Sequence, residues 1–190
     1  KFKDAGASVL CYSLESGNDE ILKAMNKRVT SQYFRDQIEL LEKVGDMVSS
    51  TSLVFGYPME TPETIAESME MCLSMNVYPS PGFLLPLPAT EMWKYALENG
   101  HITDPDEFLS NLTERQDIVI NMTEMSDDKL FGEVSDGLKK LNAKLKVGLD
   151  EDSLIRTGGI EKHSKNQSGE LKSHSNLTPD LNYATIQGSV

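Results

Sequence analysis

Short apolar segments of the chain alternate with longer segments in which apolar residues recur every three or four positions. Residues 7–14, 48–55 and 82–86 are short apolar runs bounded by turn residues, and each is predicted to form a strand. Helical spacing begins within a few residues of each strand's end. The order strand, helix, strand, helix, strand, helix is typical of an α/β fold with a parallel sheet.

Capping residues mark where the predicted helices begin. Thr61 followed by Pro62 is a strong start signal, because threonine caps a helix and proline suits its first turn. The short run 118–120 fits either one more strand or an extended link. The predicted helices cover residues 19–25, 31–44, 62–75, 91–99, 104–109 and 127–147.

Three strand–helix units are too few to close a barrel, since a complete (β/α)₈ barrel takes about 250 residues. The strands are therefore most simply part of a larger or open barrel, with a final helix added after it. We place this domain at residues 1–150 and predict that residues 151–190 form a disordered tail. From Thr157 onward the tail is rich in Gly, Ser, Asn and Thr and has no apolar periodicity. It therefore cannot bury enough apolar surface to offset the conformational entropy that it would lose on ordering.

Composition narrows the possible partners. The 18 basic and 30 acidic residues give a net charge of −12, which argues against binding to nucleic acid or to an anionic membrane. No apolar run is long enough to span a bilayer and no signal peptide is visible, so we expect a cytoplasmic protein. The chain has two cysteines, too few for a disulfide framework or for an iron–sulfur cluster.

Candidate chemistry lies in two loops that follow strands. One contains Glu15 and the other contains Glu60, and a carboxylate at a strand end can accept strong hydrogen bonds from a ribose diol or an ammonium group. Taken singly, Glu15 is better explained as part of a surface turn and Glu60 as an acid at a helix start, whereas the two together at corresponding strand ends are as consistent with a ligand site as with these structural roles. Lys27 either folds back over the strand ends to meet a ligand carboxylate or lies in a solvated turn. No residues have metal-ligand spacing, and no catalytic triad is visible.

Three segments resemble those of radical S-adenosylmethionine (radical SAM) enzymes in their order and spacing. They are Glu15–Asp19 with Lys27–Thr30, then Phe55–Thr64, then Leu85–Met92. The similarity covers roughly residues 5–145, and the subgroup that it resembles most is the cobalamin-dependent one.

The resemblance implies the carboxyl-terminal half of a partial (β/α)₆ barrel. Enzymes of this family use a 4Fe–4S cluster, reduced by a donor such as flavodoxin or ferredoxin, to cleave S-adenosylmethionine to a 5′-deoxyadenosyl radical. By position, Glu15 and Ser16 would contact the ribose or amino-acid end of the cofactor and Lys27 its carboxylate. Phe55 and Gly56 would line the adenine side, and the substrate would be a small molecule that undergoes methyl transfer or oxidative cyclisation.

The chain lacks the CxxxCxxC motif that holds the cluster and the DxHxxG segment that holds cobalamin. Both are expected upstream of Lys1, so this polypeptide alone is expected to be inactive. Two other interpretations stay open. One is a non-catalytic barrel fragment that binds a nucleotide-like ligand. The other is a phosphate-binding α/β enzyme, although the Gly-rich loop that it would need is absent.

Overall fold

A computed structural model describes residues 1–7, 9–45 and 48–156. The strands are Val9–Glu15 (β1), Val48–Phe55 (β2) and Pro79–Phe83 (β3). The α-helices are Asp19–Ala24 (α1), Ser31–Val44 (α2), Pro62–Ser74 (α3), Glu91–Glu98 (α4), Pro105–Ser110 (α5) and Asp127–Leu145 (α6). Short 3-10 turns lie at Lys3–Ala5 and Glu151–Ser153. Within the described residues, no helix is long and apolar enough to cross a membrane.

The three strands form one parallel sheet in the order β1-β2-β3. The predicted α/β fold with a parallel sheet is therefore confirmed. In the part of the chain that the structure describes, the sheet is open and does not close into a barrel. All three carboxyl ends lie at the same edge of the sheet, which brings the loops after β1 and β2 together.

The third strand begins three residues earlier than the apolar run 82–86 indicates. Its ladder with β2 runs from the pair Thr51 and Pro79 to the pair Phe55 and Phe83. Prolines argue against a central strand because they lack a donor, but β3 is an edge strand and tolerates them. Residues 118–120 lie outside the sheet and form an irregular link that bends at Val119, whose amide donates to the Asp117 carbonyl at 3.1 Å, so they are not a further strand.

Helices α3 and α6 cover one face of the sheet and supply most of the core. Leu14, Leu53 and Phe55 point from the strands into this core and are at most 1% exposed. The helices meet them with Ile65, Met69, Met71, Cys72, Leu130, Val134 and Leu138. Apolar residues repeated every three to four positions give each helix the stripe that this packing needs.

The opposite face of the sheet carries small side chains. On β1 both Cys11 and Ser13 are exposed, and the neighbouring Ser52 and Ser80 are only partly covered. Strands of a parallel sheet are usually buried on both faces. This sheet therefore has one packed apolar face and one face of smaller, more polar side chains, which is exposed at Cys11 and Ser13 and is covered in part by Arg115, whose Nη2 donates to Ser80 Oγ at 2.6 Å.

The packed body extends past the boundary predicted at residue 150. Leu154 and Ile155 are 2% and 8% exposed and belong to the core. The Tyr78 hydroxyl donates to the Leu154 carbonyl oxygen at 2.9 Å. The disorder predicted for the rest of the tail, residues 157–190, falls outside the described residues.

Candidate functional site

Glu15 and Lys27 form an ion pair at the carboxyl end of β1. Glu15 ends the strand with a φ of 68°, and Lys27 Nζ lies 3.3 Å from Glu15 Oε1 and 3.4 Å from the Ser13 carbonyl oxygen. The Lys27 amide donates to the Leu22 carbonyl at 2.9 Å, which closes the turn that returns the chain from α1 to the strand. The two side chains are 19% and 33% exposed. Of the two alternatives for Lys27, the structure shows the side chain folded back over the strand end, and its contact with a ligand carboxylate stays a prediction.

Tyr57 connects the loops after β1 and β2. It is 9% exposed and packs in a small apolar cluster with Ile21 and Ala96. Burial, together with the negative charges of Glu15 and Glu60, raises the pKa of its phenol to about 12. The phenol thus lies within electrostatic reach of a carboxylate from each loop. Sequence reasoning gave Tyr57 no role. Its position, one residue after the glycine that follows β2, could have indicated an aromatic side chain near the candidate site.

Glu60 is the buried centre of the loop between β2 and α3. It is 2% exposed, and its Oε2 accepts from the Gly56 amide at 3.0 Å while its Oε1 accepts from Thr64 Oγ1 at 3.2 Å. The Glu60 amide donates to the Tyr57 carbonyl at 2.8 Å. Burial raises the pKa of the carboxyl to about 7, even though the hydrogen bonds from Gly56, Thr64 and Tyr57 act in the opposite direction. Glu60 therefore holds the loop's shape from inside.

Two predicted cofactor-binding residues have buried side chains. Ser16 is 1% exposed and its hydroxyl faces Ser68, and Phe55 is 1% exposed within the core. Gly56 adopts a φ of 100°, a conformation that favours glycine. Any ligand contact from Ser16, Phe55 or Gly56 would therefore come from the backbone, whereas Glu15 and Lys27 offer partly exposed charged side chains.

The described residues do not fit a 4Fe–4S cluster, which is held by cysteine thiolates. Of the two cysteines in the chain, Cys11 is exposed on β1 and Cys72 is buried in α3. Burial raises the pKa of the Cys72 thiol to about 12, which disfavours the thiolate that a metal needs. No group of three or more His, Cys, Asp or Glu side chains among the described residues is placed to hold a metal ion.

Comparison with known proteins gives partial matches to several bacterial enzymes that share one name. The chain is 33% identical over 78 residues to a tRNA-2-methylthio-N(6)-dimethylallyladenosine synthase of Rickettsia bellii, covering 36% of this chain and 18% of that enzyme. It is 36% identical over 64 residues to the enzyme of that name from Opitutus terrae, covering 33% and 13%. It is 34% identical over 58 residues to the enzyme of that name from Desulfitobacterium hafniense, a match that covers 30% of this chain and 13% of that enzyme. No protein-family model matches the chain.

The chain thus spans less than a fifth of the length of these curated relatives. Synthases of this name are radical SAM enzymes, so the similarity supports the radical SAM superfamily as the source of the resemblance. It gives no support to the cobalamin-dependent subgroup.

Proposed function

We propose that this chain binds S-adenosylmethionine at the carboxyl ends of β1 and β2, as one part of a radical SAM enzyme. The observation that carries the proposal is the ion pair between Glu15 and Lys27, whose charged atoms are 3.3 Å apart at a strand end. The amino-acid end of S-adenosylmethionine is a zwitterion. Its ammonium group matches Glu15 and its carboxylate matches Lys27, so the ligand can replace one ion pair by two charge-assisted contacts.

The other predicted residues act through their backbones in this proposal. Ser16 follows Glu15 directly, Phe55 ends the neighbouring strand, and Gly56 follows Phe55. Glycine at position 56 brings the backbone close to a flat ligand group such as adenine, and Glu60 fixes that backbone by accepting its amide hydrogen.

We propose that the cluster that completes the reaction takes its thiolates from residues outside this chain. When bound, such a cluster would supply the electron that cleaves the sulfonium bond. The residues described here would bind and orient the nucleoside and its amino-acid tail. We keep cobalamin out of the proposal, because neither the residues nor the relatives support it.

The names of the relatives make a modified tRNA adenosine the first substrate to test in the whole protein. The net charge of −12 makes this chain a poor binder of RNA phosphates, so we expect any RNA-binding surface to lie on other residues. This chain would then present the cofactor while the nucleotide is delivered by another part of the protein.

The proposal is tested by titrating the chain with S-adenosylmethionine and with 5′-methylthioadenosine, which lacks the amino-acid tail. Lys27→Ala removes the cation proposed for the ligand carboxylate. We expect it to raise the Kd for S-adenosylmethionine about tenfold, since a charge-assisted hydrogen bond is lost, and to leave that for 5′-methylthioadenosine unchanged. Isothermal titration calorimetry measures both constants.

Lys23→Ala is the matched control. Lys23 lies on α1, 3.9 Å from Glu20, and both side chains are 80% exposed. We expect this variant to bind both ligands as the unaltered chain does. Equal affinities of the Lys23 and Lys27 variants for S-adenosylmethionine would contradict the placement of the ligand carboxylate.

A further inference from the structure

Three polar residues, Glu60, Thr64 and Ser68, are spaced four apart along the chain where α3 begins. Glu60 lies in the loop before the helix, and Thr64 and Ser68 lie one turn apart on α3, because residues four apart are neighbours on a helix surface. Thr64 Oγ1 donates to Glu60 Oε1 at 3.2 Å, and Ser68 Oγ donates to the Thr64 carbonyl oxygen at 3.1 Å. We call these three residues the α3 polar row. At its first end, Glu60 holds the Gly56 amide at 3.0 Å.

The other end of the row holds the loop after β1. The Gly17 amide donates to Ser68 Oγ at 2.8 Å, and Ser16 Oγ lies 3.4 Å from the same atom. Beside them, Asn18 Nδ2 donates to Glu67 Oε2 at 2.6 Å. A Cβ at Gly17 would lie 2.6 Å from Ser68 Cα, so the loop backbone is in direct contact with the helix. The α3 polar row therefore touches both loops of the candidate site.

We propose that Ser68 is a positioning residue, which through the α3 polar row fixes the loop after β1 relative to the loop after β2. The inference rests on the proposed function, in which both loops hold one ligand. A ligand that spans two loops binds best when their separation is set before it arrives, because ordering them on binding costs affinity. Ser68 contacts no ligand in this scheme and acts through Gly17.

The chemistry of a serine hydroxyl suits this position. A hydroxyl carries one donor and two acceptor sites, so Ser68 can donate to Thr64 and accept from Gly17 at the same time. Ser68 is 1% exposed. Without its oxygen the partly buried Gly17 amide would lose this partner, and the closed loop would be destabilised.

Ser68→Ala tests the inference in the ligand-free chain through amide hydrogen exchange, followed by NMR. We expect the Gly17 amide to exchange about tenfold faster, because the loop opens more often once the hydrogen bond is lost. A smaller acceleration is expected at Gly56, at the far end of the row. Ser68→Thr keeps the hydroxyl and should restore the slow exchange.

Ser74→Ala is the control on the same helix. The Ser74 hydroxyl also donates to a backbone carbonyl of α3, that of Met71 at 2.8 Å, but it contacts neither loop. We expect exchange at Gly17 to stay at the rate of the unaltered chain. Should Ser68→Ala fail to fold, Glu67→Ala removes the exposed contact to Asn18 and should also accelerate exchange in this loop.

A second measurement separates this inference from the proposed function. We expect Ser68→Ala to raise the Kd for S-adenosylhomocysteine several-fold and Ser74→Ala to leave it unchanged. If Ser68→Ala accelerates exchange but the unaltered chain binds no S-adenosylhomocysteine, the proposed function fails and the control of the loop by Ser68 stands. If exchange at Gly17 is the same in Ser68→Ala and Ser74→Ala, the inference is overturned, whether or not the ligand binds.

Discussion

A single buried carboxyl group, that of Glu60, makes the stability of this protein depend on pH. In the folded chain its pKa is raised to about 7 from an ordinary value of 4.5, chiefly by burial. The folded state therefore binds this proton more tightly than the unfolded state does. The associated stabilisation is complete below about pH 4.5 and is lost as the pH rises through 7, a total of about 3 kcal/mol.

Glu60→Gln should remove this dependence, because an amide stays neutral at every pH. The glutamine can still accept from the Gly56 amide, and the Thr64 hydroxyl can turn to accept from the new NH₂ group. We expect the variant to match the unaltered chain near pH 5 and to exceed its free energy of unfolding by up to about 3 kcal/mol at pH 8. Urea unfolding at both values measures the difference. Parallel pH profiles for the two proteins would contradict a buried, protonated Glu60.

Sequence reasoning found the charged residues of the candidate site more readily than the buried ones. Glu15 and Lys27 were both candidates from the sequence, as a carboxylate at a strand end and a lysine after the next helix, but their contact with each other was not predicted. The inward direction of Ser16 and the burial of Glu60 depend on where α3 packs. A serine or glutamate in a loop is usually exposed, so no local pattern in the sequence indicates that packing.

At the scale of elements, the close approach between the loop after β1 and α3 requires a glycine. A Cβ at Gly17 would lie 2.6 Å from Ser68 Cα and 2.9 Å from the Glu67 carbonyl oxygen, both backbone atoms that cannot move without shifting the helix. By contrast, a Cβ at Gly132 on α6 would meet nothing within 4 Å.

We therefore expect opposite effects from two glycine-to-alanine substitutions. Gly17→Ala should lower the free energy of unfolding by about 1–3 kcal/mol, because the added methyl group overpacks the contact. Gly132→Ala should raise it by about 0.5–1 kcal/mol, because alanine favours the helix and the site has room. Thermal and urea unfolding measure both. A stable Gly17→Ala variant would show that the loop does not rest on α3.

The helices were easier to predict than the third strand. Thr30, Thr61, Thr90 and Ser126 each accept from a backbone amide of the first helical turn, as the capping pattern indicates. Caps are local signals that tertiary packing rarely overrides. The bounds of β3 depend instead on its register with β2, which is a non-local contact. Proline is unfavourable in most strands, so Pro79 and Pro81 led the sequence prediction to begin the strand too late.

At the scale of the whole molecule, the last described residues close the core at the end of the sheet opposite the site. Leu154 and Ile155 pack into the core, and Tyr78, just before β3, binds the Leu154 carbonyl from 76 positions away in the sequence. The charged residues of the site lie at the carboxyl ends of the strands. Under the proposed function, the two ends of the sheet therefore serve different purposes, one mainly stability and the other mainly binding.

Shortening the chain tests this division. A chain that ends at Asp150 lacks Leu154 and Ile155, and we expect its free energy of unfolding to fall by about 2–5 kcal/mol relative to a chain that ends at Arg156. Tyr78→Phe should cost about 1 kcal/mol, because it removes only the hydrogen bond. Urea unfolding compares the three proteins. Equal stability of the two shortened chains would show that residues 151–156 contribute little to the core.

The four-residue interval of the α3 polar row limits how this helix can change during evolution. A substitution changes one contact, but a residue inserted or deleted between Thr64 and Ser68 turns every later side chain of the helix by about 100° around the axis. Ser68 would then point away from Gly17, and the loop after β1 would lose its support. The number of residues in α3 between Thr64 and Ser68 is therefore constrained more strictly than the identity of those residues.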